Sequence, residues 1–494
     1  MLAILTQELF AQISLKNTIS VIIALLVLLA PLAQFGSHGL LGRVFDIPRG
    51  YRFLVSGRQM IRKASALHGI NAFSLPTPKA RIHFVSSKEH YRELTKAHPT
   101  HLSLHSAIKQ MLSPYLIFGG FHVPEARTVE GMHVVRGIRS ATVRLSYFSP
   151  MFFKIIQQDI SKATMSKKQD DGYVQVAFPK LITNMILRSL TLFVIGEEAM
   201  NSPTFIDEAW KYRNRALFTA ELCRLTPNWS HKLISYLVQG NESHRKYCFG
   251  VASTEVDKYI EESLISPDSV SKSRNASALE FMTRNHPPSW SRDRLIQEAA
   301  MAWMPSTVLA SGIATNVIMD IFIHEEHIPA LRAEIAEHLV DYDTLNADTM
   351  PFLESFMIES VRTHSYESTS VHRAALRNFT FSNGYTVPKG DWVEYNLQAT
   401  FNNPALFPNP EVFDPYRHLN SGRKFRDVSV DWPMWGTPNL ACPGRFMVER
   451  FVKNLVVYML QEYDCKLLRK TKLNYGWRES EVPNPAVRLL MKRR

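Results

Sequence analysis

The order of apolar and polar positions separates an apolar N-terminal segment from a long body rich in helical patterns. Residues 17–41 contain no Asp, Glu, Lys or Arg, and residues 19–35 are nearly all aliphatic or small. A segment of this length and composition is about long enough to span a bilayer. The pattern therefore predicts one transmembrane helix near the N-terminus.

Basic residues are concentrated behind this apolar segment. Arg43, Arg49, Arg52 and Arg58 follow it, whereas Lys16 is the one basic residue ahead of it. Since loops rich in Lys and Arg stay in the cytosol, the body of the chain is predicted to be cytosolic. A cleaved signal peptide fits less well, because its basic region is weak and no small-x-small cleavage site clearly follows. We expect a luminal tail with a single-pass anchor over residues 1–42, a stiff hinge over 43–51 and one large domain over 52–494.

The body reads as mainly helical, with small sheets near both ends. Short apolar runs broken by Pro and Gly over residues 52–88 predict a small sheet. The helical patterns cover residues 132–145, 178–195, 208–225, 292–339 and 443–462. Strand-like pieces with turn signals follow residue 358, including a pair over 379–387 around an Asn-Gly turn. The predicted fold class is therefore mainly α with small β-sheets.

Composition narrows the classes of partner. The chain of 494 residues carries a formal charge of +12, but its basic residues are scattered, with no zinc-finger or ribonucleoprotein signature. Nucleic acid is therefore not an expected partner, and a basic docking face for an acidic protein or lipid headgroups fits better. The four cysteines lie far apart, which argues against a disulfide framework and against a C-x-x-C metal cage.

One of these cysteines, Cys442, precedes an apolar-periodic run that begins at Phe446. Pro443 suits the first position of a helix, where its missing N–H is not needed. At a helix N-terminus, the dipole and the free backbone N–H groups, including that of Gly444, favour a thiolate over a thiol. Such a thiolate is a strong axial donor to haem iron. A buried structural cysteine is the alternative, and one Cys-Pro-Gly sequence does not decide between the two.

Two further motifs precede Cys442, and together the three resemble the cytochrome P-450 family. They are Glu359-Ser360-Val361-Arg362 and Phe413-Asp414-Pro415-Tyr416-Arg417, in the order in which the family places its E-x-x-R helix and its aromatic-x-x-Pro-x-Arg meander. The resemblance implies the P-450 fold behind the anchor, haem b as cofactor and Cys442 as axial ligand of its iron. It also implies a buried Glu359, Arg362 and Arg417 cluster that is structural rather than catalytic.

The resemblance suggests further haem contacts and also shows departures. Arg373 or the neighbouring His372 matches the family's partner of a haem propionate, and Arg136 is a second candidate, although all could be surface charges. Trp435 replaces the family's usual Phe, and its indole is expected either to pack on the proximal haem face or to donate its N–H toward the sulfur. Pro438 replaces the second loop glycine, and Leu440 stands where the family has a basic residue.

The long helix departs further from the family pattern. The family places an acid or amide followed by Thr where this helix crosses the haem, to relay protons. In this chain the alcohol position falls on Leu309 or Ala310. Pro305 removes a helical hydrogen bond, which could bring Ser306 or Thr307 into reach as a substitute relay. The alternative is that these two hydroxyls cap freed carbonyls.

The details between His324 and Ile335, and at Pro388-Lys389-Gly390, look like fungal secondary-metabolism members of the family. The resemblance implies a monooxygenase of the endoplasmic reticulum membrane that hydroxylates, epoxidises or oxidises in several steps a small apolar metabolite. A terpenoid or meroterpenoid is the expected substrate, and a diflavin NADPH-cytochrome reductase the expected electron donor. The expected pocket is lined by Ser306, Thr307, Ala310, the region of Thr369-Ser370 and Asn484.

Two alternatives remain at this level. One keeps the haem but inserts no oxygen, as in a dehydratase, isomerase, desaturase or ring-forming oxidase. The other is a membrane-tethered helical binding protein in which the cysteine is structural.

Overall fold

A computed structural model describes residues 40–126, 132–165, 171–265, 277–343, 345, 347–468 and 471–494. Residues 1–39, which carry most of the predicted anchor, lie outside the described residues. Within the described part, the helix Arg292–Ile323 is long and apolar enough to cross a membrane, but 78% of its most apolar window is buried inside the protein. That burial is typical of the core helix of a globular protein.

Helices dominate the described chain, as predicted. They are α1 (Leu40–His68), α2 (Lys88–Lys96), α3 (Leu104–Leu112), α4 (Pro114–Ile117), α5 (His133–Val143), α6 (Leu145–Thr164), α7 (Phe178–Val194), α8 (Glu197–Asn201), α9 (Pro203–Leu225), α10 (His231–Gln239), α11 (Ser243–Ile265), α12 (Ala278–Arg284), α13 (Arg292–Ile323), α14 (Ile328–His338), α15 (Pro351–Thr363), α16 (Leu397–Phe401) and α17 (Arg445–Glu462).

The strands form small sheets. They are β1 (Phe73–Pro76), β2 (Arg81–Val85), β3 (Leu102–Ser103), β4 (Val174–Ala177), β5 (Thr369–Ala375), β6 (Phe379–Thr380), β7 (Thr386–Val387), β8 (Trp392–Asn396), β9 (Tyr463–Leu468), β10 (Asn474–Trp477), β11 (Ser480–Pro483) and β12 (Arg488–Arg493). The largest sheet has the order β1-β2-β8-β5-β3, and only its β2–β8 pair is parallel. The others have the orders β4-β12-β9, β10-β11 and β6-β7.

Three stretches differ from the sequence prediction. Residues 52–68, expected in a small sheet, belong to α1, and the sheet begins only at Phe73. Residues 43–51, expected as a hinge, also lie in α1, which contains Pro48. The run predicted over 292–339 is two helices, because α13 ends at Ile323 and Pro329 sits in the first turn of α14, where its missing N–H is tolerated.

The packing around α13 positions the candidate site. Ser291 begins this helix by accepting a hydrogen bond from the Arg294 N–H, and most residues from Ala310 onward are fully buried. The five-stranded sheet separates two smaller cores. One contains Phe53 and Ile61 of α1, and the other contains Tyr91 with residues of β5 and β8. Side chains of β5 therefore reach different surroundings on its two faces.

Candidate active site

The loop before α17, residues 435–444, is held in shape by hydrogen bonds around Cys442. The Cys442 N–H donates to the Trp435 carbonyl at 2.8 Å. Gly436 has φ +98°, and a Cβ there would lie 2.8 Å from the Leu440 carbonyl oxygen, so both the dihedral and the space require glycine. The Tyr91 hydroxyl donates to the Gly436 carbonyl at 2.9 Å, which ties the loop to α2. The cysteine is thus presented by a loop of fixed shape.

The Cys442 sulfur accepts hydrogen bonds from the backbone N–H groups of Gly444 and Arg445. The helix begins at Arg445 with Gly444 as its N-cap, so Pro443 precedes the helix instead of opening it as the sequence predicted. Burial raises the pKa of the Cys442 thiol, while the Gly444 N–H and the charge and N–H of Arg445 lower it. A bound metal ion would deprotonate such a thiol outright.

The Cys442 side chain is nevertheless accessible to solvent. Cys442 therefore combines a dense protein environment, which raises the pKa of its thiol, with exposure of the residue to solvent. A structural cysteine fills its space completely, as Cys223 and Cys248 do in this protein. The open sulfur with two N–H donors behind it suits a thiolate that ligates a cofactor.

The Trp435 indole does not reach the sulfur. Its N–H donates to the Phe425 carbonyl at 2.7 Å, and its ring meets the Phe425 ring edge-on at 5.5 Å. The expectation that this N–H is directed toward Cys442 is wrong, because the buried Phe425 carbonyl takes it. Packing of the indole on the proximal haem face stays a prediction.

Arg373 lies on β5, is 3% exposed and donates from Nη1 to the His372 carbonyl at 2.9 Å. Among the described residues it has no carboxylate partner. Burial lowers the pKa of Arg373 to about 10, while the Tyr91 hydroxyl acts in the opposite direction. Because a buried charge without a counter-ion is costly, this guanidinium fits an anionic group of a bound cofactor, such as a haem propionate.

His372 faces a different environment. Its ring nitrogens form ion pairs with Glu394 at 3.2 Å and Glu367 at 3.4 Å. Although burial lowers the pKa of His372, these carboxylates raise it well above its usual value. His372 lies within the stretch from Ser370 to Arg373 over which the pairing of β5 with β8 shifts register. Of the two sequence candidates for a propionate partner, the geometry favours Arg373 and argues against His372.

Arg136 lies exposed on α5, and its role toward a propionate stays a prediction. One turn further along α5, Arg139 comes close enough to Arg445 for its charge to lower the pKa of Arg445, in addition to the effect of burial. Helix α5 therefore passes close to the cysteine loop, and a contact between Arg136 and a cofactor bound at Cys442 would require this position.

The predicted structural cluster forms around Glu359, whose side chain is fully buried. Arg362 binds both carboxylate oxygens, at 2.7 Å and 2.8 Å, and Arg417 donates from Nε to Oε1 at 3.1 Å. Both arginines also donate to the Val412 carbonyl of the meander, at 3.2 Å and 3.1 Å. The cluster thus fastens α15 to the chain that leads into the cysteine loop.

Sequence reasoning missed His418, which immediately follows Arg417. Its Nε2 lies 3.2 Å from Glu359 Oε2, and the Asp414 N–H donates to Oε1 at 3.0 Å. Burial raises the pKa of Glu359, but the hydrogen bonds from Arg362, His418 and Asp414 and the Arg362 charge lower it to about 2. No pattern in the sequence distinguishes this histidine from the others.

The hydroxyls of Ser306 and Thr307 both bond to the backbone of α13. Ser306 donates to the Ala302 carbonyl at 2.6 Å, and Thr307 donates to the Met304 carbonyl at 2.7 Å. Thr307 is fully buried and also accepts from Arg213 Nε at 2.5 Å. Its hydroxyl therefore faces α9, and the geometry favours Ser306 over Thr307 for any proton relay.

The partly exposed face of α13 carries Ala302, Pro305, Ser306 and Leu309. These positions are spaced as one face of a helix, whereas their neighbours Met304 and Ala310 are buried. Of the two residues on which the expected alcohol position falls, Leu309 is 42% exposed and Ala310 is buried. Neither side chain carries a hydroxyl, so whichever of them holds that position cannot relay a proton.

Comparison with known proteins identifies the family. The cytochrome P-450 family model matches residues 126–487, which include the cluster and the cysteine loop. The chain belongs to the cytochrome P-450 family. P-450 proteins carry haem iron with a thiolate ligand and generally take electrons from a redox partner. The membership confirms the resemblance that the sequence motifs carried, and it is the basis on which a haem-thiolate enzyme is favoured over a binding protein with a structural cysteine.

The relatives of this P-450 include fungal monooxygenases of secondary metabolism. It is 24% identical over 312 residues to the monooxygenase ausG of Penicillium brasilianum, which covers 61% of this chain and 58% of ausG. It is 22% identical to the monooxygenase atmQ of Aspergillus flavus, covering 87% of this chain and 82% of atmQ. The match thus spans less than two thirds of the length of ausG.

A solved structure shares the fold. The retinoic-acid-bound cyanobacterial CYP120A1 is similar with a TM-score of 0.67 and 16% identity, over 90% of this chain and 97% of that one. The helical body with small sheets is therefore the P-450 fold, as the sequence predicted.

Proposed function

We propose that this P-450 is a membrane-anchored monooxygenase that oxidises an apolar secondary metabolite, with haem b bound through Cys442. The observation that carries the proposal is the Cys442 sulfur, which is open on one side and held from behind by the Gly444 and Arg445 N–H groups. The haem supplies the activation of dioxygen. The protein supplies the anionic sulfur, its fixed position and the shape of the site.

Each named residue has a distinct part in this proposal. Gly444 leaves its N–H free to stabilise the sulfur anion, and Trp435 would pack against the bound haem. Arg373 would pair with one propionate and Arg136 with the other. The Glu359, Arg362 and Arg417 cluster holds the meander, so that the cysteine loop keeps its geometry without touching the reacting atoms.

The membrane and the electron donor complete the proposal. Residues 1–42 are proposed to anchor the protein in the endoplasmic reticulum, with residues 52–494 in the cytosol. A diflavin NADPH-cytochrome reductase is the proposed donor, docking on the side of Cys442. The proximity of Arg139 to Arg445 gives that side the positive charge that an acidic donor domain would recognise.

The proposed substrate class is a terpenoid or meroterpenoid. The support is that the relatives are fungal monooxygenases and that the accessible face of α13 presents Leu309 and Pro305 beside a single hydroxyl, that of Ser306. An apolar face of this kind favours a hydrocarbon skeleton over a sugar or a peptide.

A second function is favoured by the same helix face. Since the position of the usual alcohol falls on Leu309 or Ala310 and Thr307 faces α9, the ordinary route for protons is missing. The enzyme would then catalyse a desaturation, rearrangement or ring closure without net oxygen insertion, or would take protons from the substrate or from water.

Products formed in labelled dioxygen distinguish these two functions. The holoenzyme, its reductase and NADPH are incubated with a panel of terpenoid and meroterpenoid intermediates. Oxygen label in the product supports monooxygenation. A new product that carries no label, whether its mass is changed or not, overturns it and supports the second function.

A further inference from the structure

A pocket lies between α7, α9 and α13, on a different face of α13 from the one that carries Ser306 and Leu309. From α13 it is lined by Val308, Ser311, Gly312 and Thr315, and its outer wall is formed by the loop around Pro483. Among the described residues that line it, Lys180 and Arg213 are the charged ones, and none is Asp or Glu. The pocket is therefore electropositive.

Arg213 is fixed in this pocket. It is 9% exposed, its Nε donates to the Thr307 hydroxyl at 2.5 Å, and its Nη1 donates to Asn214 Oδ1 at 2.8 Å. Its guanidinium also lies 5.7 Å from the centre of the Trp210 ring, and Lys180 Nζ lies 6.0 Å from the same ring. Two cations thus flank one aromatic side chain in a space with few polar atoms.

Arg213 and Lys180 are the groups of the pocket that are suited to bind an anion, because the hydroxyls on α13 already donate to carbonyls of the helix. The Ser311 hydroxyl donates to the Thr307 carbonyl, and the Thr315 hydroxyl donates to the Ser311 carbonyl at 2.6 Å, so neither has a proton left for a ligand. Leu217 and Val308 are apolar. The lining therefore has one charged end and one apolar side, which is the pattern of an amphipathic acid.

Tyr366 closes the pocket against α13. A Cβ at Gly312 would lie 2.1 Å from Tyr366 Cδ2, so the glycine is what lets the phenol ring pack onto the helix. Burial raises the pKa of the Tyr366 phenol, as does the charge of Glu367, and the charge of Arg213 acts in the opposite direction. The neutral phenol therefore borders the cationic end as a further polar group.

We propose that this pocket binds the carboxylate of the substrate, so that the substrate is an apolar organic acid. Arg213 and Lys180 hold the carboxylate, with the planar guanidinium as the better-matched partner. Val308, which lines the pocket, and Leu309, which lies on the accessible face, are consecutive residues of α13, and we place the apolar part of the acid along these two side chains. The inference rests on the proposed oxygenase function and specifies its substrate class.

The test compares dodecanoate, methyl dodecanoate and 1-dodecanol by calorimetric titration of the holoenzyme. Hydrogen bonds to a charged group are worth about 1.5–3 kcal/mol, so the acid should bind about 10–100-fold more tightly than the ester or the alcohol. Arg213→Gln should remove this preference without weakening the alcohol. Arg213→Lys should keep part of it, and the control Lys211→Gln, which removes a cation from the other side of α9, should leave it intact.

Equal affinity of the wild-type enzyme for acid and alcohol overturns the inference, and this measurement requires no variant to fold. An unchanged preference in Arg213→Gln also overturns it. A carbon monoxide difference spectrum of each preparation separates this failure from that of the proposed function. A haem-thiolate band without acid preference rejects the acid substrate alone, whereas loss of the band in the wild type rejects the proposed function itself.

Discussion

Arg362 donates two hydrogen bonds to Glu359, from Nε to Oε2 at 2.7 Å and from Nη2 to Oε1 at 2.8 Å. Both side chains are almost completely buried, and the same guanidinium donates to the Phe401 carbonyl at 2.9 Å and the Pro410 carbonyl at 2.7 Å. The pair therefore links α15 to α16 and to the meander. The pair therefore affects the cysteine loop through the backbone segments whose carbonyls accept hydrogen bonds from Arg362.

Removing the charge of Glu359 should destabilise the whole domain. In Glu359→Gln, Arg362 and Arg417 keep their buried charges but lose their counter-ion, which costs about 3–5 kcal/mol for a buried pair. Urea denaturation followed by circular dichroism measures the loss. The control Glu326→Gln alters an exposed carboxylate at a helix end and should change the free energy of unfolding by less than about 0.5 kcal/mol.

The same carboxylate predicts how stability depends on pH. The pKa of Glu359 is about 2 in the folded protein, against an ordinary value of 4.5. The unfolded state therefore binds the proton more tightly, so the stabilisation is complete above pH 4.5 and is lost as the pH falls toward 2. The wild-type unfolding free energy should fall more steeply in this range than that of Glu359→Gln. Equal slopes would show that the carboxylate has no lowered pKa.

Gly436 should be irreplaceable for two separable reasons. Gly436→Ala meets both an unfavourable φ of +98° and the Leu440 carbonyl at 2.8 Å. Gly390→Ala is the matched control, since φ is +93° there but nothing lies within 4 Å. We expect the control to cost about 1 kcal/mol and to bind haem normally, whereas Gly436→Ala should lose haem during purification. Equal haem content in the two variants would argue against a rigid loop.

Arg373 and His372 should behave differently although they are neighbours. Arg373→Gln should weaken haem retention, measured as the rate of transfer to apomyoglobin, because the buried donor for a propionate is gone. His372→Gln should retain haem and instead lower the melting temperature, since Glu367 and Glu394 lose their cation. If the haem-loss rates of the two variants were exchanged, the assignment of Arg373 would be wrong.

Sequence analysis found Glu359, Arg362, Arg417 and Cys442 because their motifs follow one another in the order of the P-450 family. The short spacing of Glu359 and Arg362 on one helix face, and of Cys442 before a helix, agrees with that assignment. Contacts across the fold were not accessible in this way. Neither the Trp435 bond to Phe425 nor the Arg213 bond to Thr307 follows from spacing, because tertiary packing decides which acceptor lies nearest. The sheet predicted over residues 52–88 was wrong at its start, because α1 covers residues 52–68 despite their mixed, strand-like signals.

The most direct test of the account is the carbon monoxide difference spectrum of reduced wild-type protein and of Cys442→Ala, both purified with haem and checked by circular dichroism. The account predicts that the wild type shows the long-wavelength Soret band from which the family takes its name. The variant should lack that band even when it retains haem, because no other described cysteine lies in the loop before α17. A variant that keeps the thiolate band, or a folded wild type that never shows it, would contradict the assignment of Cys442.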